Sequence, residues 1–139
     1  VTGGILSKLQ SIRNAAARLI SGTRKFDHIT PVLRELHWLP VRRRIDFKVA
    51  TIVFKCLCGQ APPYLAEYSR LLTTLPGHRH LRSADVRKMS VPRVGTNYGS
   101  RSFAVYGPTT WNNLPDELRM AECSVPVFRG RLKTYLFDL

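Results

Sequence analysis

The stretch Asn14–Lys48, NAAARLISGTRKFDHITPVLRELHWLPVRRRIDFK, decides the fold class, because it reads as helix, stop, helix, stop, helix. Upstream of the first stop, Ile5, Leu9, Ile12, Ala16 and Leu19 recur at the three-to-four spacing of one helical face and predict a helix over 5–20. Lys8 and Arg13 flank that stripe, and Arg18 lies opposite it. Gly22 is the expected stop, since glycine enters the left-handed conformation without a Cβ penalty. Thr30-Pro31 reads as N-cap and first helical position of a short helix over 31–37. Trp38-Leu39-Pro40 ends it and opens the longest helix, from about Pro40 to Cys58, with Gly59 as its stop. There Val41, Ile45, Val49, Ile52 and Cys56 make an apolar stripe. Phe47 and Phe54 lie on the far side, so the second half is expected to be buried nearly all round.

Further along, Pro62-Pro63 starts a short helix whose Tyr64, Leu65, Tyr68, Leu71 and Leu72 are expected to pack inward. Residues 73–85 read as loop. Then the period changes from three-to-four to two. Met89 and Val91 alternate with Lys88 and Ser90, and Phe103 and Val105 alternate with Ser102, Ala104 and Tyr106. This predicts a hairpin of strands over 86–92 and 101–106 joined through Gly95, Asn97 and Gly99. A helix crossing 102–114 would enclose Pro108 at a cost of ~3 kcal/mol, so the next helix is expected to start at Pro108. Trp111, Leu114 and Leu118 continue its apolar face, and Asp116-Glu117 suit a helical first turn. Ser124 is expected to cap a last helix over 125–137 with Phe128, Leu132, Tyr135 and Leu136 inward. The expected fold is mainly α, a helical bundle-like single domain over 1–139 with a small β-hairpin element. Its parts are a helical portion (5–72), a loop and hairpin (73–106) and C-terminal helices (108–137).

The charge is uneven. Net charge is +13, yet residues 8–60 hold eleven Lys/Arg against three acids and residues 76–110 hold six against one. Segments 61–75 and 111–139 each balance to zero. Two cationic blocks point to polyanion-facing surfaces. An apolar content of 44% is enough to build a core rather than a disordered chain. No segment is apolar for the ~18 residues a membrane span needs, so nucleic acid is the expected polyanion and no membrane partner is expected. Arg44, Lys48, Thr51 and Lys55 share one helical face and, at 1.5 Å per residue, form a rail of roughly 16 Å. Arg42 and Arg43 fan around the same helix. Arg79 and Arg82, in the loop with His78 and His80, and Arg93 and Arg101 around Tyr98 complete the candidate nucleic-acid contacts. Backbone contacts of this kind carry no sequence information and weaken steeply with salt.

Catalytic chemistry is not legible. Metal-dependent phosphoryl transfer needs carboxylates converging on cations, and the nine acids are scattered except for Asp116-Glu117, adjacent residues that face different directions on a helix. Cys56 reads as core rather than nucleophile, because burial raises a thiol's pKa. His78-x-His80 has no third ligand at zinc-finger spacing, and His28 and His37 read as structural residues at helix ends. The segment GTNYGSR lacks the lysine of a phosphate loop. No catalytic residue, metal or cofactor is expected. The three cysteines, Cys56, Cys58 and Cys123, read as reduced core residues of an intracellular protein, nuclear or cytoplasmic. A start at Val1 without an initiator Met or signal-peptide pattern is expected of a fragment.

The segments NAAARLISGTRKFDHITPVLRELHWLPVRRRIDFKVATIVFKCLCGQAPPYL, LRSADVRKMSVPRV, GSRSFAVYGPTTWNNLP and FRGRLKTYLF, in that order, span nearly the whole chain. Together they resemble the C-terminal, post-polymerase and thumb-adjacent region of non-LTR (LINE-type) retrotransposon reverse transcriptases. The resemblance implies a role in holding RNA template and DNA primer, with the upstream polymerase domain of the parent polyprotein as partner. The family's Tyr-x-Asp-Asp motif and metal-binding aspartates are absent, so no catalytic residue carries over. Two other roles are consistent with the resemblance. One is a structural module packing on a missing polymerase palm, which an exposed apolar face on helix 5–20 or 125–137 would mark. The other is a non-functional retroelement relic.

Overall fold

The computed structural model describes residues 3–76 and 87–139. Its seven α-helices among the described residues are α1 (Gly3–Ser21), α2 (Ile29–Glu35), α3 (Val41–Leu57), α4 (Pro63–Ala66), α5 (Phe103–Asn112), α6 (Asp116–Arg119) and α7 (Val125–Asp138). Two 3-10 turns, Leu72–Thr74 and Gly99–Arg101, lie between α4 and α5. The fold is mainly α. Two compact units make up the chain, one of Val1–Ile45 with Lys133–Leu139 and one of Asp46–Leu132.

In the first unit the helix stops are resolved by named backbone chemistry. Gly22 ends α1 at φ 69°. Helix α2 starts at Ile29, two residues before the expected first position, with His28 as N-cap and no side-chain cap. Pro31 therefore sits third in the helix, where a missing N–H still costs no intrahelical bond. His37, at φ 54°, ends α2, with Trp38 N–H donating to Leu33 carbonyl (2.7 Å) and His37 N–H to Arg34 carbonyl (2.9 Å). That pair of bonds is a Schellman motif, and Trp38 and Leu33 supply its apolar contact. Ala17, Val32 and Leu33 form a small core against Ile29, Leu36 and Trp38.

Helix α1 departs from its expected orientation. Its inward side is Leu6, Gln10, Arg13 and Ala17, of which only Ala17 is fully buried. The regular stripe of Ile5, Leu9, Ile12 and Leu19 faces solvent instead. At about 100° per residue, the packed side lies roughly a third of a turn from the apolar stripe. The small Ala17 lets the helices approach closely, and on that side Gln10 accepts the Val41 N–H and Arg13 lies over the Trp38 ring.

The second unit holds the aromatic core. Phe54 of α3 stacks on Phe128 of α7, with ring centroids 4.0 Å apart and planes 3° from parallel, and Trp111 of α5 lies 6.0 Å from Phe128. The Trp111 indole N–H donates to the Arg87 carbonyl at 2.8 Å. Helix α3 ends as expected at Gly59 (φ 69°), with Gln60 N–H bonding back to Lys55 carbonyl (2.8 Å). Ala50, Val53 and Phe54, rather than Val49 and Ile52, form its most buried side. Tyr64 and Tyr68, expected inward, are exposed, because α4 stops after one turn.

The hairpin is not present. Among the described residues there is a single antiparallel bridge, Leu71 to Met89, with Leu72 N–H donating to Lys88 carbonyl and Ser90 N–H to Arg70 carbonyl. The period-two signal at 88–91 was an extended segment with buried Met89, but its partner is 70–72. Asn112 takes the place of a second strand: its side-chain oxygen accepts Met89 N–H (2.8 Å) and its NH2 donates to Met89 carbonyl (2.9 Å). Residues 103–112 are helical, and α5 encloses Pro108. Two features relieve the proline. Gly107, lacking a Cβ, escapes the clash that normally drives a pre-proline residue out of the helical region. Burial also compensates the one lost hydrogen bond: Gly107 and Pro108 are both buried, and a Cβ on Gly107 would come within 3.4 Å of Val53.

Candidate nucleic-acid interface

In the first unit the start of α3 is fixed by α1. Gln10 Oε1 accepts the Val41 N–H at 2.7 Å, and Gln10 Nε2 donates to Asn14 Oδ1 at 2.7 Å. One of the unpaired donors of the α3 first turn is thereby satisfied by a side chain 31 residues away. This bond anchors the first turn of α3, which carries Arg42, Arg43 and Arg44. Arg42 and Arg44 are exposed and Arg43 is half-buried, as the fan of consecutive helical residues requires.

The Arg13 guanidinium stands 5.2 Å from the Trp38 ring centroid, a cation–π arrangement, and its Nε is buried without a hydrogen-bond partner. Burial, and after it the positive charge of Arg44, lowers the pKa of Arg13 from its usual value. The guanidinium still carries its proton at any physiological pH. Two like charges thus share one neighbourhood, which a bound anion would relieve.

In the second unit the cations are spread. Lys48 is exposed, Lys55 is half-buried, and Thr51 between them is buried with its hydroxyl donating to the Phe47 carbonyl at 2.7 Å. The continuous rail expected from spacing is interrupted at Thr51. Asp46, the one acid in α3, accepts the Tyr106 hydroxyl at 2.6 Å. Arg93 and Arg101 are exposed, and Tyr98 is 85% exposed. They flank or belong to the Gly99–Arg101 turn rather than a hairpin loop. Arg79 and Arg82, with His78 and His80, lie outside the described residues.

The ion pairs among the described residues are Arg87–Glu122, at 3.8 Å, and Arg119–Asp116. None of Arg42, Arg43, Arg44, Lys48, Lys55, Arg93 or Arg101 takes part in either. Sequence spacing placed Arg13 only at the edge of a stripe and gave Gln10 no role. Their partners, Trp38 and Val41, are 25 and 31 residues away, so only folding could join them.

Chemistry beyond charge is sparse. A cleft of about 380 Å³ in the second unit is lined by Phe54, Leu57, Leu71, Cys58 and Cys123, with the Arg87–Glu122 pair at its side. Of the cysteines only Cys56 is core, while Cys58 is exposed and Cys123 half-buried. The expectation of three core thiols is therefore corrected: Cys58, at the expected helix end beside Gly59, is exposed rather than packed. Among the described residues no group of three His, Cys, Asp or Glu stands close enough to hold a metal ion. None of their helices is long and apolar enough to cross a membrane. No protein-family model, curated protein or solved structure matches the chain.

Proposed function

We propose that this chain is a non-catalytic segment that grips nucleic acid, of the kind its resemblance to non-LTR reverse transcriptases implies. It would help hold an RNA template or RNA–DNA hybrid for a polymerase domain that supplies the chemistry. The observation carrying the proposal is the set of uncompensated cations: seven candidate Lys and Arg side chains engage no acid among the described residues. In a purely solubilising surface, cations and acids would be interspersed. Here the one acid of α3 is turned to a tyrosine, and neither Arg13 nor Arg44 takes part in an ion pair among the described residues.

Fluorescence anisotropy with a labelled RNA–DNA hybrid tests this. If three phosphates are neutralised, the log–log salt slope is about −2.7, and affinity falls roughly 40-fold between 50 and 200 mM salt. Replacing Arg42, Arg44 and Lys48 together by Gln should flatten the slope by 2 units or more while the helical circular dichroism persists. Salt-independent affinity, or a slope untouched by the triple substitution, would sink the proposal. A structural role remains the second reading, and the solvent-facing apolar stripe of α1 favours it.

A further inference from the structure

The exposed stripe of α1 has a regular grammar. From Ile5 the steps to Leu9, Ile12, Ala16 and Leu19 are four, three, four and three, the a/d alternation of a coiled-coil seam over two heptads. The seam is open to solvent: Ile5 is 53% exposed, Leu9 47%, Ile12 67% and Leu19 86%. With Ile20, 61% exposed, beside it, the stripe offers room for one docked helix but is smaller than the ~800 Å² per partner of a standard interface.

Charge selects the occupant. Helix α1 carries no acid; of its cations Lys8 flanks the seam, while Arg13 is turned inward over Trp38 and Arg18 lies opposite, and the turn after the helix adds exposed Arg24 and Lys25. A second copy would bring like charges together along the seam, on a chain already at +13. A strict a/d stripe is also narrower than the broad apolar face of a helix lying in a bilayer surface. We infer that the α1 seam docks an amphipathic helix of another protein segment, apolar at its own a and d positions and acidic at the flanking positions. The seam faces away from the packed side of α1 that carries Arg13, so the inference does not rest on nucleic-acid binding.

Three labelled synthetic peptides of three heptads test it by anisotropy against the full chain. One has Leu at a and d with Glu at e and g, one has Lys at e and g, and one is a scrambled form of the first. The Glu peptide should bind in the micromolar range, at least tenfold tighter than either control. Ile12→Asn, at a side chain two-thirds exposed, should weaken it at least tenfold with the helical spectrum unchanged. Equal binding of the scrambled peptide, or indifference to Ile12→Asn, would reduce the effect to net charge and overturn the inference. So would dimerisation of the chain in sedimentation that Ile12→Asn abolishes. Failure to bind the Glu peptide, with Ile12-dependent binding to phosphatidylserine-containing vesicles, would instead assign the seam to a membrane surface.

Discussion

Replacing Arg119 by Met should stabilise the second unit. Arg119, at the end of α6, is 4% exposed, and its Nε and one terminal nitrogen are buried without hydrogen-bond partners. Each orphaned donor forfeits its hydration, at about 1–3 kcal/mol. The compensation is one ion pair to Asp116, whose side chain is 68% exposed. At that exposure solvent screens the pair, and it returns about 0–1 kcal/mol. Methionine keeps an unbranched apolar stem of adaptable shape and removes the unsatisfied nitrogens. The balance is a gain of about 1–4 kcal/mol, the range seen when buried ion pairs give way to apolar groups. With a urea m-value of about 1–3 kcal/mol per M, the midpoint should rise by roughly 1 M. The melt is best followed in a Trp38→Phe background, so that Trp111 alone reports the second unit. A loss of more than about 1 kcal/mol would refute the bookkeeping and mark Arg119 as held for its charge.

Two other stability changes have opposite signs. His37→Gly should stabilise the first unit by about 0.5–1 kcal/mol, because an L side chain in the left-handed region costs about 1–2 kcal/mol and glycine returns only part of that as unfolded-state entropy; thermal melts check it, and any destabilisation contradicts it. Phe128→Ala, which empties the centre of the stacked aromatic core, should cost about 3–5 kcal/mol in the same urea melts, and a cost under 1 kcal/mol would show that the site collapses around the void.

Local chemistry was the legible part of the fold. Gly22 and Gly59 end their helices as positive-φ residues, and Phe128, Leu132 and Leu136 point inward from α7 at the expected spacing. Where the sequence misled, a non-local partner prevailed. The two-residue alternation around Met89 matched an extended segment, but Asn112 and residues 70–72 complete its hydrogen bonds, leaving 103–112 free to be helical. Proline in α5 looked prohibitive because its cost was counted without the glycine before it or the burial around it.

The candidate interface divides the same way. Its cations and their grouping into blocks are properties of residue order, as are the apolar stripes that predict each long helix. Tertiary structure decided which side of α1 packs, since periodicity defines a face but not what lies against it. It also set Gln10 on the first turn of α3 and Arg13 over Trp38. Those contacts join residues 25 or more positions apart, and no local propensity encodes them; they exist only because the helices between them turn back at His37 and Gly22.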